Sequence, residues 1–236
     1  MLFRSQTHYQ LPDRRFSLAY TGVESPRVEV EPDRQRDAGL RAEFGIAQND
    51  LVVLFVGTEF KRKGLDALLH GLALLPRSRV TLLVAGGGGG RLEHYKALAD
   101  RLQLGREVKF LGLVSDVERL YPLADVFILP TLADPCPLSP LEAMAAGVAT
   151  VMSSSEFNGS AELITKGEAL ILTDPNDPKE IASTLTALMD GHARASLAEK
   201  GRQLVRQLTW DKTAEETLSV YRDVIRMRMA CREATR

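Results

Sequence analysis

The feature that most constrains the fold of this chain is the regular alternation, from Leu51 onward, of short apolar runs with longer helical patterns. The apolar runs cover residues 51–56, 80–85, 108–111, 126–129, 148–152 and 169–172. Continuous apolar runs of this length predict strands that are buried on both faces, as in a parallel sheet whose crossover helices cover it.

Helical patterns fill the intervals between these runs, at residues 65–75, 91–104, 117–123, 140–146 and 178–189. Six strands separated by helices predict an α/β fold with a Rossmann-like, doubly wound parallel sheet. We expect this domain to span residues 51–190. Residues 1–50 are predicted to be a linker with one short helix near 34–44, because Pro and charged residues dominate there. Residues 191–236 are predicted to form C-terminal helices, broken near 209–211 with Asp211 as a possible N-cap.

Composition excludes several classes of protein. The 236 residues include 30 basic and 31 acidic side chains, a formal net charge of -1, which argues against a general nucleic-acid binder. Cys136 and Cys231 form no CxxC pair, which is typical of a reduced, cytoplasmic protein. We find no run of about eighteen apolar residues and no signal-peptide pattern, and therefore expect neither a membrane span nor an export signal.

The last helical stretch is rich in arginine, at positions 222, 226, 228, 232 and 236. A solvated helix face is the favoured interpretation, and attraction to an anionic membrane surface is the alternative.

Two carboxylates lie eight positions apart around a predicted helix start. Asp134 follows the strand at 126–129, and Glu142 lies in the first turn of the next helix. The carboxyl ends of strands are where open α/β sheets bind ligands. The residues Ser139-Pro140-Leu141-Glu142 also have the form of a capping box with Ser139 as N-cap, so a purely structural role for Glu142 remains open.

Three consecutive cations follow the first strand, in the segment Gly57-Thr58-Glu59-Phe60-Lys61-Arg62-Lys63-Gly64. Lysine offers a compact charge and arginine a bidentate fork to phosphate oxygens, and the flanking glycines permit close backbone approach. The segment therefore predicts a site for a diphosphate, with a merely solvated loop as the alternative. It is not a Walker A loop, because GxxxxGK[ST] is absent.

Other chemistry finds little support in the sequence. The glycines at 86–90 complete no GxGxxG pattern and favour a structural loop. The four histidines are scattered at 8, 70, 94 and 192, and neither a DxD pair nor GxSxG occurs, so we predict no metal and no cofactor. The acidic segment at 174–178 favours a turn followed by an N-cap, and Cys136 favours a packed thiol over a nucleophile.

Taken together, the ordered segments of this chain resemble the retaining glycosyltransferases of family 4, the group 1 transferases. The segments are Gly57 with Arg62-Lys63-Gly64, Phe110-Leu111-Gly112, residues 120–126, residues 134–147 and Glu162-Leu163-Ile164. The resemblance covers about residues 12 to 225. The wording of residues 57–64 is similar to that of the lipopolysaccharide core glucosyltransferases.

The resemblance implies a two-lobed enzyme of the GT-B type, of which this chain looks like the C-terminal, donor-binding lobe. Residues 16–24 are similar to the stretch where such enzymes cross between lobes, so residues 1–50 would hold a remnant of the first lobe. Residues after Trp210 resemble the helix that returns to brace it. The implied partners are a nucleotide-sugar and an N-terminal acceptor lobe or subunit that is missing, truncated or separately encoded. The full-length enzyme could also make peripheral contact with the inner membrane surface.

The resemblance also implies roles for individual residues. Arg62 and Lys63 would bind the donor diphosphate, Asp134 would contact the sugar hydroxyls and Glu142 would accept hydrogen bonds from the ribose. The remaining residues implied to bind the donor are Gly57, Thr58, Gly112, Leu113, Val114, Leu138 and Ser139. Three positions depart from the family pattern, because Asp134 stands where Glu is usual, Thr58 where Arg is common and Pro137 where Gly is common.

The implied reaction is metal-independent transfer of a hexose, with retention, from a UDP- or GDP-sugar to a glycan or lipid-linked acceptor. An alternative is a non-catalytic nucleotide-sugar-binding subunit of a split glycosyltransferase. A third interpretation is a dehydrogenase domain, against which the absent GxGxxG pattern counts.

Overall fold

The structure, a computed structural model, describes residues 17, 19–23, 34–76, 80–87 and 90–233. The stretch at 16–24 that resembles the crossing between lobes lies partly outside this set, as does the glycine tract at 86–90. Segment 24–33, Arg236 and the side chains of Cys231 and Arg232 lie outside the described part altogether.

Six strands form one all-parallel sheet in the order β3-β2-β1-β4-β5-β6. The strands are β1 (Leu51–Val56), β2 (Val80–Ala85), β3 (Val108–Gly112), β4 (Val126–Leu129), β5 (Ala149–Ser153) and β6 (Leu170–Leu172). The predicted α/β class and the doubly wound parallel sheet are confirmed. Every strand lies within two residues of its predicted bounds.

The central strands are buried on both faces, as their continuous apolar runs require. Side chains from Val52 to Phe55 in β1 and throughout β4 are 0% exposed. Burial of this kind, at about 25 cal/mol per Å² of apolar surface, is the main force that holds the sheet between its helices.

Seven helices accompany the sheet in the described residues. They are α1 (Arg34–Glu43), α2 (Leu65–Ala73), α3 (Leu92–Arg101), α4 (Ser139–Ala145), α5 (Pro178–Ala187), α6 (Gly191–Val205) and α7 (Trp210–Glu233). Helix α2 packs against α5, and α4 packs against α6. Helix α1 contacts the turn before β4, and Leu40 and Ile46 join the common core.

The prediction of a helix at 117–123 is wrong about the type of helix. The chain instead forms two short 3-10 turns, Val117–Arg119 and Tyr121–Leu123. Pro122 explains the difference, because its ring lacks an N–H donor and would clash with the carbonyl one turn earlier in a continuous α-helix.

The C-terminal helices begin with different caps. Asp190 and Asp177 accept backbone N–H bonds as the N-caps of α6 and α5, so the turn and N-cap predicted at 174–178 are confirmed. The prediction of Asp211 as an N-cap is wrong, because α7 starts one residue earlier and Thr209 Oγ1 accepts from Lys212 N at 3.2 Å. No helix within the described residues is long and apolar enough to cross a membrane.

Residues 19–23 run against the junction of α6 and α7. Val23 N donates to Leu208 O at 2.9 Å, and Thr213 Oγ1 donates to Tyr20 O at 2.7 Å. A side chain at Gly22 would lie 2.4 Å from Trp210 N, so the approach of the two segments requires glycine there. Residues 19–23 and the junction of α6 and α7 therefore lie side by side.

The strand order creates a switch point between β1 and β4. Strands β2 and β3 extend the sheet to one side of β1, and β4, β5 and β6 extend it to the other. Doubly wound sheets bind ligands at the carboxyl edge beside such a switch point.

Candidate functional site

The loop after β1 turns tightly so that its cations face the loop after β4. Lys63 N donates to Glu59 O at 2.9 Å and Leu65 N to Phe60 O at 3.0 Å, which closes the turn before α2 begins. Gly64 has φ +79°, and a Cβ there would lie 1.9 Å from Pro130 O. Glycine is thus required where the two loops touch.

Main-chain bonds tie the two loops together. The carbonyl oxygen of Arg62 accepts from Leu132 N at 2.8 Å and from Thr131 Oγ1 at 3.2 Å. The position of the cation-bearing backbone is therefore set by the strand ends rather than by the charged side chains.

The side chains of Glu59, Arg62, Lys63 and Asp134 form what we call the ion-pair cluster. Arg62 NH1 donates to Asp134 Oδ2 at 3.2 Å and to Ala133 O at 2.6 Å, and Lys63 Nζ also pairs with Asp134 Oδ2. The Asp134 and Lys63 side chains are only 8% and 12% exposed. One oxygen of the Asp134 carboxylate thus contacts two cationic side chains, and the carboxylate is largely buried.

Glu59 holds the outer side of Arg62, with Nε donating to Glu59 Oε2 at 2.5 Å. Partial burial lowers the pKa of the Arg62 guanidinium, but hydrogen bonds to Glu59 and Asp134 outweigh that effect and raise the pKa above its ordinary value. Two carboxylates face two cations, so the cluster is formally neutral. An arriving diphosphate would compete with Glu59 and Asp134 for these cations.

Asp134 is also fixed through its backbone. Its N–H donates to Phe157 O at 2.8 Å, and its carbonyl accepts from Gly159 N at 3.0 Å. A cavity of about 150 Å³ lies beside it, lined by residues 133–135 and 155–159. The side chain of Asp134 is therefore held at the edge of a small cleft.

Glu142 does not complete a capping box, so the prediction of Ser139 as N-cap is wrong. Helix α4 begins at Ser139, its N-cap position is Leu138 in helical conformation, and no side chain caps it. The Glu142 carboxylate instead accepts a hydrogen bond from Tyr121, with Oη to Oε2 at 2.6 Å. A tertiary contact has replaced the local one, so any structural role of Glu142 rests on Tyr121 and not on a capping box.

The remaining predicted residues lie along the same edge. Gly57 N donates to Ala85 O at 3.0 Å, and Gly86 N donates to Gly112 O at 2.7 Å, so the loops after β1, β2 and β3 stand side by side. Thr58 and Leu138 are exposed, and Val114 and Ser139 are half-buried. All of the predicted site residues lie at or after the carboxyl end of β1, β3 or β4.

Sequence reasoning missed two residues that shape the site, Glu59 and Tyr121. Glu59 could have been noticed as the acidic residue three positions before Arg62 in a tight turn. Tyr121 gave a weaker signal, a hydroxyl inside an apolar run that needs a partner once buried. Within the described part of the chain, no cluster of three His, Cys, Asp or Glu side chains could hold a metal ion.

Comparison with known families assigns the chain to a class. Residues 38–204 match the family described as Glycosyl transferases group 1, which is well over half of the sequence. The chain therefore belongs to the group 1 glycosyltransferases, as its ordered segments predicted.

Individual proteins resemble it along most of its length. An uncharacterized glycosyltransferase of Methanocaldococcus jannaschii is 27% identical over 224 residues, covering 93% of this chain and 57% of that protein. The structure of WaaG, a glycosyltransferase involved in lipopolysaccharide biosynthesis, is 26% identical with a TM-score of 0.77, covering 91% of this chain and 58% of that one. The chain spans about half the length of the relatives it matches.

Anabaena HepE, solved in complex with UDP and glucose, has the same fold. Its TM-score is 0.82 at 23% identity, covering 93% of this chain and 60% of that one. The six-stranded parallel sheet with its flanking helices thus matches a lobe of the GT-B glycosyltransferases.

Proposed function

We propose that this chain is the donor-binding lobe of a retaining, metal-independent glycosyltransferase. It would bind a UDP- or GDP-sugar and support transfer of the hexose to a glycan or lipid-linked acceptor. The observation that carries the proposal is the ion-pair cluster at the switch point between β1 and β4, with Glu142 on the helix that follows. Solved relatives of this fold hold UDP and glucose or UDP-glucose.

The cations of the cluster are suited to a departing diphosphate. In the proposed reaction the anomeric carbon–oxygen bond breaks, and negative charge grows on the nucleoside diphosphate. Arg62 and Lys63 would stabilise that charge without a metal ion. Their positions are set by main-chain bonds and by Asp134, so little reorganisation is needed as the charge develops.

The other site residues take complementary roles in this proposal. Asp134 would accept hydrogen bonds from the sugar hydroxyls, and Glu142 from the ribose hydroxyls. The N–H groups of Leu138 and Ser139 would donate to phosphate oxygens, with a helix-dipole contribution of about 0.3 to 1 kcal/mol. Gly57, Thr58, Gly112 and Val114 would line the donor through backbone groups and apolar contact.

The acceptor would arrive on an N-terminal lobe or subunit. The contact of residues 19–23 with residues 208–213 supports this idea, because the two segments that would cross to such a lobe lie beside one another. The amino-acid sequence of residues 57–64 favours lipopolysaccharide synthesis as the class of pathway. A cytoplasmic location, with peripheral contact at the inner membrane surface, belongs to the same proposal.

The second candidate is a non-catalytic nucleotide-sugar-binding subunit of a split enzyme. It would bind the same donor through the ion-pair cluster and Glu142 without transferring the sugar itself. The two candidates differ in turnover. Consumption of a UDP- or GDP-sugar by the chain with a glycan acceptor would exclude the second candidate, and consumption only after an acceptor-binding subunit is added would support it.

Calorimetric titration tests the proposal itself. UDP, GDP, ADP and NAD are titrated separately into the purified chain, with pyrophosphate as a reference for the diphosphate alone. We expect UDP or GDP to bind more tightly than pyrophosphate, and NAD to bind more weakly than either. Tight binding of NAD with none of UDP or GDP would overturn the proposal in favour of a dehydrogenase domain.

A further inference from the structure

The hydrogen bond between Tyr121 and Glu142 joins two parts of the chain on opposite sides of β4 in sequence. Tyr121 lies in the turn before that strand, and Glu142 lies in the helix after it. The Oη to Oε2 distance is 2.6 Å, and the Tyr121 side chain is 0% exposed. Its ring stands beside Phe127 of β4, with centroids 6.2 Å apart, so the hydroxyl is aimed by core packing.

The direction of the bond follows from protonation. Burial raises the pKa of the Tyr121 hydroxyl, and the neighbouring Glu142 charge and the hydrogen bond to it raise that pKa further. Tyr121 is therefore the donor and Glu142 the acceptor. A donor with no charge of its own leaves the negative charge of the carboxylate intact.

The bond engages only one of the two carboxylate oxygens. In the part of the chain that the structure describes, Oε1 of Glu142 has no protein hydrogen-bond partner. Glu142 itself is half-buried. One oxygen is thus anchored from the core side, and the other remains available to a ligand from the carboxyl edge of the sheet.

We propose that Tyr121 is a positioning residue that orients the Glu142 carboxylate so that its second oxygen meets the ribose hydroxyls of the donor. This inference rests on the proposed function, because it assigns Glu142 to the nucleotide. Tyr121 touches no substrate. It removes the side-chain freedom that a half-exposed Glu would otherwise lose when the nucleotide binds.

The test uses the full chain and Tyr121→Phe, which keeps the ring and removes the hydroxyl. The tightest-binding of UDP, GDP and ADP is titrated by calorimetry beside its 2′,3′-dideoxy analogue, which lacks the ribose hydroxyls. We expect the ordinary nucleotide to bind about three- to tenfold more weakly to the variant, the range of one hydrogen bond. The dideoxy analogue should change less than about twofold.

Glu142→Ala, which removes both carboxylate oxygens, provides the second half of a double-mutant cycle. If Tyr121 acts through this carboxylate, adding Tyr121→Phe to Glu142→Ala should weaken nucleotide binding by less than about twofold further. Independent, multiplying losses would contradict the proposal, as would an equal loss for the dideoxy analogue.

Tyr95→Phe is the matched control. Tyr95 is also buried and its hydroxyl also donates to a carboxylate, with Oη to Asp66 Oδ2 at 2.7 Å. The control should lower the unfolding temperature by an amount similar to Tyr121→Phe without a ribose-dependent loss of affinity. A ribose-dependent loss in the control as well would reduce Tyr121 to a structural role.

The possible results distinguish a failure of this inference from a failure of the proposed function. A wild-type chain that binds no nucleoside diphosphate would overturn both, whereas nucleotide binding that Tyr121→Phe leaves unchanged would overturn the inference alone. If Tyr121→Phe does not fold, Tyr121→Met, which also removes the hydroxyl from an apolar setting, takes its place in the same titrations.

Discussion

The two carboxylates of the site are held in opposite ways. Asp134 is paired with the cations of Arg62 and Lys63, and Glu142 is held by the neutral hydroxyl of Tyr121. The first arrangement balances charge before any ligand arrives, and the second leaves a carboxylate uncompensated and half open. In the proposed function, this difference would suit one end of the site to exchange anions and the other to accept hydrogen bonds from an uncharged group.

The largest expected effect follows from removing a largely buried cation from the ion-pair cluster. In Lys63→Met, the buried Asp134 carboxylate loses a partner and a diphosphate loses a cation. We expect affinity for UDP and for pyrophosphate to fall by about 3 kcal/mol each, within the range for truncating a buried charge pair. Calorimetry measures both ligands. Lys61→Met, which removes an exposed cation from the same turn, is the control and should change affinity by less than about 0.5 kcal/mol.

The uncharged end should respond differently. Glu142→Ala is expected to weaken UDP binding by about 1.5 to 3 kcal/mol, the scale of a hydrogen bond to a charged group. Pyrophosphate affinity should stay unchanged, since that ligand has no ribose. Thermal unfolding should occur at a lower temperature, because the buried hydroxyl of Tyr121 loses its acceptor. An equal loss of pyrophosphate affinity would contradict the proposed difference between the ion-pair cluster and Glu142.

Asp134→Asn should produce an effect of opposite sign. Removing this carboxylate leaves Lys63 and Arg62 freer to meet a phosphate, so we expect pyrophosphate to bind about 1 kcal/mol more tightly. The extra affinity of a nucleotide-sugar over its nucleoside diphosphate should shrink at the same time. Weaker pyrophosphate binding in a folded variant would show that Asp134 positions the cations more than it competes for them.

The smallest effect is expected at the rim of the cluster. Glu59 is 60% exposed, and its pairing with Arg62 is open to solvent and salt. Glu59→Gln should therefore tighten pyrophosphate binding by only about 0.2 to 1 kcal/mol, and the gain should fade at high ionic strength. Titrations at low and high salt measure the difference. A gain that salt does not reduce would point to a cause other than charge.

The sequence predicted the sheet well and the local contacts less well, for a physical reason. Parallel strands buried on both faces must be continuous apolar runs, so β1 and β4 were predicted to the residue. Clustering of Arg62, Lys63 and Asp134 also followed, because strand ends share one edge. The role of Glu142 in the fold could not be predicted, since its local sequence favours a cap and only the tertiary contact with Tyr121 decides against it.

The predictions of helix caps and of helix type failed for the same reason. The pattern at 117–123 has helical periodicity, but Pro122 divides it into two turns, and one of these carries the tyrosine that reaches Glu142. At the start of α7, Thr209 and Asp211 are both acceptable caps, and the choice depends on where Trp210 begins the helix. Such choices depend on packing that a single sequence does not display.

The main-chain hydrogen bonds between the loops after β1 and β4 bear on the rate of ligand binding more than on its affinity. Because Leu132 and Thr131 donate to the Arg62 carbonyl and Gly64 abuts Pro130, we expect these loops to keep the same arrangement before and after a ligand binds. A small anion should then associate in a single fast step. In a two-lobed enzyme of the proposed kind, a slow phase would then be expected from movement of the lobes and not from these loops.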